Sequence, residues 1–326
     1  MILKMKKILT LFIIVLVSNQ LVKAQQDAQF TQYMFNGIYI NPAYAGYKEQ
    51  LNLQGFYRVQ WTGMPGAPRT QSLAIDAIAN ENKVGLALQI SNDRLGAQSN
   101  LAAYANYAYR LQMNEDGSAR LALGFGIGAI QLGIDGAKLN PNDQESEQPI
   151  GFQSMTVADA RTGIYYSDDK FYAGLSADNL ISQFFKVHSY SSIPQPKPHY
   201  YLTAGMLVPL SDEVLLKPSF LLKDDGAGPT SLDVTAFVIL SQKLWIGGSY
   251  RTGVKLYNKP YLQQNLNQNN SLVAAIQVFA VKNFRIGYAY DMSVGPLKGY
   301  SSGTHELSIG YFFERKRSRM LTPRYF

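Results

Sequence analysis

The sequence predicts an all-β protein, a transmembrane outer-membrane β-barrel of about 14 antiparallel strands behind an amino-terminal segment. Three observations support this prediction. Apolar residues recur with a period of two along most of the chain, tight turns alternate with longer loops, and charged residues share one face of the predicted strands. Charged residues make up only 16% of the chain, against about 25% in soluble domains, so much of the surface is expected to face lipid.

The first 24 residues have the layout of a secretory signal peptide. Lys4, Lys6 and Lys7 form the basic start, residues 8–17 the apolar run, and residues 22–24 the cleavage site. The apolar run is shorter than the roughly 20 residues of a membrane-spanning helix, which favours cleavage over a membrane anchor.

Residues 25–50 precede the first predicted strand. Their central part, residues 28–46, is uncharged, is rich in aromatic residues and asparagine, and shows no alternation. We interpret residues 25–50 as a periplasmic or plug segment in the lumen or across its mouth, with an ordinary lead-in to the first strand as the alternative. The candidate partner or plug residues are Gln32, Tyr33, Met34, Phe35, Asn36, Asn41, Pro42, Tyr44 and Gly46.

Residues 51–313 are predicted to form the barrel. Phe284, Ile286 and Tyr288, for example, share one face of a strand, and most predicted strands have the about 9–11 residues needed to cross a bilayer. Pro218 lies inside one strand and predicts a bulge or a local break in pairing, because proline lacks a backbone donor. The predicted strands are residues 51–61, 69–79, 83–91, 98–110, 119–131, 156–166, 170–178, 199–209, 214–223, 231–240, 243–251, 271–280, 283–292 and 303–313.

The predicted connections alternate in length. Tight polar turns such as residues 80–82 and 167–169 alternate with mostly longer loops such as residues 62–68 and 179–198. Outer-membrane barrels have short turns on the periplasmic side and longer loops outside. Because the strand number is even, both ends of the barrel chain are expected on the short-turn side. The amino-terminal segment is then expected to enter the lumen from that side, and residues 314–326 to form a basic periplasmic tail.

Charged residues in the predicted strands share parity with small or polar neighbours. A charge facing lipid at mid-bilayer costs about 2–4 kcal/mol, so these side chains are expected to face the lumen. A lumen of 14 strands is too wide for its own side chains to fill, which predicts an occupant. Tyr33, Phe35, Asn41 and Tyr44 are expected to be buried by the barrel. The predicted lumen-facing charges are Arg58, Asp76, Arg110, Asp159, Arg161, Asp178, Asp233, Arg251, Arg285, Asp291 and Glu306.

Other functional classes have little support in the sequence. The net charge of +7 arises from the signal peptide and the basic tail, so no nucleic-acid partner is predicted. The chain has no cysteine nucleophile, and its three histidines lack the spacing of a zinc protease motif. The acidic loop at residues 140–147 lacks the EF-hand pattern, which favours a solvated loop over a calcium site. We therefore expect no enzymatic activity, no catalytic residue, no metal and no cofactor.

Three blocks of sequence point to a family. The first comprises residues 29–36 (QFTQYMFN) and 41–46 (NPAYAG), the second residues 60–63 and 66–70, and the third residues 303–307 with the strand that follows. These blocks resemble the PorP/SprF family of Bacteroidetes type IX secretion systems, and the likeness covers essentially the whole mature chain.

The resemblance implies an outer-membrane component that supports secretion or surface anchoring of cargo proteins with a C-terminal secretion domain. It also implies two kinds of partner, namely periplasmic ring proteins of the PorK and PorN types and secreted adhesin-like cargo. Gly37 is one departure from the family pattern, in which proline is expected. A passive channel or hydrophobic-solute transporter remains the alternative, because the lumen is wide and lined by glycine.

Overall fold

The alternating segments form strands, as predicted. In the computed structural model, every predicted segment coincides with one strand, except that residues 199–209 form parts of two consecutive strands. The strands are Leu51–Val59 (β1), Arg69–Ala79 (β2), Val84–Leu95 (β3), Gln98–Gln112 (β4), Arg120–Asp135 (β5), Phe152–Ser167 (β6), Phe171–Asp178 (β7), His199–Met206 (β8), Val208–Ser211 (β9), Val214–Asp224 (β10), Thr230–Leu240 (β11), Leu244–Val254 (β12), Asn269–Val281 (β13), Phe284–Ser293 (β14) and Thr304–Phe313 (β15).

The strands close into a barrel. Neighbouring strands pair antiparallel in chain order, and β15 pairs with β1, with Leu51 opposite Phe313 and Arg58 opposite Glu306. β8 and β9 follow one another along the same side of β10, while the other side of β10 pairs with β11. These two short strands together take the place of one strand in the barrel wall. The predicted barrel of 14 antiparallel strands is therefore confirmed.

The structure describes residues 30–80, 82–139, 151–185, 196–260, 262, 269–281, 283–295 and 298–313. The predicted signal peptide, residues 25–29, the acidic loop at residues 140–147, His188 and the basic tail lie outside the described residues. Their roles stay predictions. Among the described residues, no helix is long and apolar enough to cross a membrane.

The two faces of the barrel wall differ as the period of two predicts. On β3, Leu86, Leu88 and Ile90 point outward and are exposed, whereas the alternate residues Gly85 and Ala87 are buried. The same alternation runs along β14, where arginine, glycine and alanine face inward. An apolar outer band around an inner face of small and charged residues is the pattern of a barrel in lipid.

The connections define two rims. The short-turn rim holds the β2–β3, β4–β5, β6–β7, β9–β10, β11–β12 and β13–β14 turns. The long-loop rim holds the β1–β2, β3–β4, β5–β6, β7–β8, β10–β11, β12–β13 and β14–β15 connections. One expectation is wrong. The connection predicted at residues 92–97 is only Gly96 and Ala97, because β3 and β4 continue their pairing as far as Leu95 and Gln98.

Pro218 marks a break in the barrel wall, as predicted. Residues 214–216 of β10 pair with β9 and residues 219–224 pair with β8, so Lys217 and Pro218 lack partners on that side. Leu207, which separates β8 from β9, donates its N–H to the carbonyl oxygen of Lys170 instead. On the other side, Pro218 lies opposite Ala236 without a change of register.

Candidate functional site

Residues 30–50, which we call the lumen segment, run through the inside of the barrel. The segment forms three short 3₁₀ turns, at Tyr33–Phe35, Gly37–Tyr39 and Pro42–Tyr44. The candidate partner or plug residues identified from the sequence are all buried. Among them, Tyr33, Phe35, Asn41 and Tyr44 are 4%, 5%, 2% and 4% exposed.

The lumen segment spans the lumen from one rim to the other. Its first residues lie near the long-loop rim, where Thr31 contacts Asp291 of β14 and Glu306 of β15. Its last residues lie at the short-turn rim, where Glu49 contacts Arg110 of β4. The prediction that the segment enters from the short-turn side is therefore wrong for its described residues. Only the connection to β1 lies on that side.

Six charged side chains form a cluster at the long-loop end of the lumen. Arg58 binds Glu306 at 3.0 Å and Asp291 at 3.1 Å. Arg251 also reaches Asp291, at 3.5 Å, and shares Asp233 with Lys223, at 2.6 and 3.3 Å. We call these residues the ionic cluster: Arg58, Lys223, Asp233, Arg251, Asp291 and Glu306. Each cation is matched by a carboxylate, which is the condition for keeping charges buried.

The ionic cluster binds the start of the lumen segment. The backbone N–H groups of Thr31 and Gln32 each donate to a carboxylate oxygen of Glu306, both at 2.7 Å. The Thr31 hydroxyl donates to Asp291 and accepts a hydrogen bond from Arg58. Bonds from N–H groups to an ionised carboxylate are roughly twice as strong as neutral ones. This end of the segment is therefore held by charge.

The middle of the segment is held by Arg161 of β6. Its guanidinium donates to the carbonyl oxygens of Ile38 at 3.1 Å and Tyr39 at 3.0 Å, and pairs with Asp178. The guanidinium also lies 5.4 Å from the centre of the Tyr104 ring. These two carbonyl oxygens belong to a 3₁₀ turn and would otherwise be buried without a hydrogen-bond donor. One arginine satisfies both.

Asn41 fixes the third turn and ties it to the wall. Its side-chain oxygen accepts from the N–H of Ala43 at 2.9 Å, which caps the turn. Its side-chain nitrogen donates to the carbonyl oxygens of Ile164 and Leu175, at 2.9 and 3.3 Å. The asparagine therefore uses both ends of its amide.

Glycines of the wall make room for the segment. A Cβ atom on Gly85 would overlap the carbonyl oxygen of Ala45, and one on Gly124 would overlap the backbone of Ala43. A glycine is required where another backbone approaches this closely. The same holds within the segment, where a Cβ atom on Gly37 would lie 2.5 Å from the Tyr44 ring.

The short-turn end of the segment carries one buried acid. Glu49 binds Arg110 at 2.9 Å and Arg120 at 2.5 Å. Nearby aromatic rings pack closely, with the Tyr44 and Tyr47 centres 4.9 Å apart. This end of the segment combines two salt bridges of one acid with backbone packing and ring stacking.

All the predicted lumen-facing charges are buried inside the barrel. Those outside the groups described above are Asp76, Asp159 and Arg285. Asp76 accepts from Asn52 at 2.6 Å, and Asn52 accepts from Arg285 at 3.0 Å. Asp159 accepts from the Tyr104 hydroxyl at 2.7 Å. The charges therefore bind one another, the wall or the lumen segment.

Sequence reasoning missed several residues of this site, namely Glu49, Tyr104, Arg120 and Lys223. Lys223 has the same parity as the buried residues Ser219 and Leu221 of β10. The period of two could therefore have predicted that Lys223 faces the lumen. Glu49 precedes the first strand, where no parity rule applies. Among the described residues, no group of acidic or histidine side chains has an arrangement suited to a metal ion.

The family of the chain follows from comparison with known families. The family described as type IX secretion system membrane protein PorP/SprF matches residues 22–311. The chain belongs to the PorP/SprF family. The membership identifies a membrane component of type IX secretion. No protein with a curated description gives a significant match.

Solved structures with a similar fold are outer-membrane barrels. The Ralstonia pickettii toluene transporter TbuX is 10% identical with a TM-score of 0.50, over 87% of this chain and 94% of the transporter. A Pseudomonas aeruginosa FadL homologue is 11% identical with a TM-score of 0.48, over 87% of this chain and 94% of the homologue. At this identity the likeness concerns the fold. Membership of the PorP/SprF family and the closed barrel fold assign the chain to the outer membrane.

Proposed function

We propose that this PorP/SprF-family barrel is a non-enzymatic docking or anchoring component of type IX secretion. In this role it supports the secretion or surface anchoring of cargo proteins with a C-terminal secretion domain. It contacts the periplasmic ring proteins of the PorK and PorN types through its short-turn rim. The family assignment supports the secretion system as the setting.

The observation that carries the proposal is the lumen segment. It crosses the lumen from rim to rim, buries its side chains, and is bound by Arg58, Arg161 and Glu306 of the wall. A barrel filled by its own chain offers partners its two rims rather than a passage. Surfaces carried by a framework of paired strands suit docking.

Deleting the gene and measuring surface display of type IX cargo tests the proposed role. We expect at least one cargo with a C-terminal secretion domain to be lost from the cell surface, and the wild-type gene to restore it. Unchanged surface display of every cargo would contradict the proposal.

Photocrosslinking tests the proposed orientation toward the ring proteins. Lys170 is exposed in a turn of the short-turn rim, and Tyr300, 76% exposed, lies in a loop of the opposite rim. A photoreactive amino acid at Lys170 is expected to crosslink to PorK- or PorN-type proteins, whereas one at Tyr300 is not. Equal crosslinking from both positions would contradict contact through the short-turn rim.

Planar bilayers separate docking from the alternative of a passive channel. Because the lumen segment fills the barrel, purified protein is expected to show no steady conductance. Replacing Thr31 and Gln32 by alanine removes the bond from the Thr31 hydroxyl to Asp291 and the bond from the Gln32 side-chain amide to the Glu306 carbonyl oxygen. The double variant is expected to show flickering conductance. A steady wild-type current would favour the channel.

A further inference from the structure

A recess opens beside the lumen segment at the long-loop end. It has a cavity volume of about 70 Å³ and lies between the segment and strands β8, β10 and β11. Aromatic rings of Phe30, Tyr39 and Tyr201 form much of its lining, together with apolar Leu221. Concave sites that combine aromatic rings with a few polar groups are the kind that bind small ligands.

Two polar side chains that line the recess have unused hydrogen-bonding groups. Asn36 is 2% exposed, and neither its amide nitrogen nor its amide oxygen has a partner among the described residues. The hydroxyl of Ser231 is likewise buried without a partner in the described part of the chain. Buried amides and hydroxyls are nearly always hydrogen-bonded in folded proteins, so unused ones beside a cavity point to a ligand.

The charged groups around the recess are already engaged. Lys223 pairs with Asp233 at 3.3 Å, and Asp224 pairs with Lys259 at 2.8 Å. Asp225 accepts from the backbone N–H of Gly228 at 2.7 Å. No charged side chain in the described lining of the recess is left without a partner. A neutral ligand therefore matches the recess better than an anion or a cation.

The recess has no free strand edge. Along its wall, β10 pairs with β8 on one side and with β11 on the other. An extended peptide that binds by adding a strand needs an unpaired edge. A compact ligand with hydroxyl or amide groups needs none. Hydroxyls act as both donors and acceptors and can meet Asn36 and Ser231 in several orientations.

We propose that the recess binds a neutral saccharide unit on the long-loop side of the barrel. The apolar faces of the sugar ring pack on the rings of Phe30, Tyr39 and Tyr201. Hydroxyl or acetamido groups bond to the amide of Asn36 and the hydroxyl of Ser231. This site is independent of the secretion role and of the partners proposed above.

Isothermal titration of the full-length protein in detergent tests the assignment. The neutral probes are diacetylchitobiose, maltose and cellobiose, and the comparison probes are a galacturonate dimer and a capped alanine tripeptide. We expect saturable binding of at least one neutral saccharide, and binding of the galacturonate dimer and the tripeptide weaker by about tenfold or more. No binding of any neutral saccharide, or preferential binding of the tripeptide, would overturn the proposal.

Matched variants locate the site. Asn36→Leu removes both unused polar atoms without removing a hydrogen bond, so the fold should be retained and saccharide affinity should fall about tenfold. Asn106→Leu is the control, because Asn106 of β4 is also buried with an unused amide but does not line the recess. Asn106→Leu should bind like the wild type. Equal affinities of the two variants would refute the location.

Discussion

The two ends of the lumen segment are held in opposite ways. At the long-loop end, Thr31 and Gln32 donate to Glu306, whose charge is balanced by Arg58. Toward the short-turn end, the backbone around Ala43 lies against wall glycines at positions where no side chain would fit. The long-loop end depends on buried charges, whereas the stretch around Ala43, which precedes the salt bridges of Glu49, depends on the absence of side chains on the wall glycines.

This difference predicts which substitutions release each end. Buried charges destabilise a protein when one partner is removed, because the other charge is left without compensation. A close backbone contact is destabilised when a methyl group is added, because a packed interior cannot move aside freely. Removing a charged side chain should therefore destabilise the long-loop end. Adding a methyl group to a wall glycine should destabilise the packing around Ala43.

The largest effect is expected for Arg58→Met. The substitution leaves Glu306 without its cation and removes one of the two cations bound to Asp291. Breaking a buried ion pair on one side costs about 3–5 kcal/mol, and we expect the free energy of unfolding to fall by that amount. Urea unfolding of the detergent-solubilised barrel, followed by tryptophan fluorescence, measures this change.

Arg69→Met is the matched control for Arg58→Met. Arg69 begins β2 and is exposed, so its removal should change the free energy of unfolding by no more than about 0.5 kcal/mol. If the two variants unfold at the same urea concentration, the ionic cluster does not hold the fold together.

The next effect concerns Gly124→Ala. A methyl group at this position overlaps the backbone of Ala43, and overpacking of this kind costs about 1–3 kcal/mol. The lumen segment should also become accessible to protease in the intact barrel. Limited proteolysis with mass spectrometry would detect cleavage within residues 30–50.

Gly55→Ala is the control for Gly124→Ala. A Cβ atom on Gly55 meets its nearest neighbour, on Ile309, at an ordinary contact distance of 3.5 Å. We expect Gly55→Ala to leave stability unchanged or slightly raised and the segment protected. Cleavage in both variants, or in neither, would mean that close contact at Gly124 is not what retains the segment.

The barrel could be predicted from the sequence because a period of two determines which face a strand residue occupies. Lipid on one side and a lumen on the other give Arg58, Asp233 and Glu306 a parity that can be read without a structure. A separate rule, that proline has no backbone N–H to donate, identifies Pro218 as a break in the ladder. The period of two fails at residues 92–97, because it cannot tell a long strand from a loop of similar composition.

The arrangement inside the lumen could not be predicted in the same way. Thr31 bonds to Glu306 across 275 positions of the chain, so the contact exists only once β15 has closed on β1. The lumen segment has no alternation to define its height or direction in the barrel. The aromatic, uncharged composition of its residues 30–46 indicated burial, but the direction in which the segment runs depends on which wall charges it binds.

The smallest effect tests Asn41, which lies where the two ways of holding the segment meet. Asn41→Ala removes the cap on Ala43 and the bonds to Ile164 and Leu175, and is expected to lower the free energy of unfolding by about 1–2 kcal/mol. Asn41→Ser keeps an oxygen that can cap the turn but has no nitrogen to reach the wall. If the cap dominates, the serine variant should recover most of the loss in urea unfolding. A serine variant as unstable as the alanine variant would instead assign the stabilisation to the bonds with Ile164 and Leu175. The turn would then be held by the barrel wall and not by its own cap.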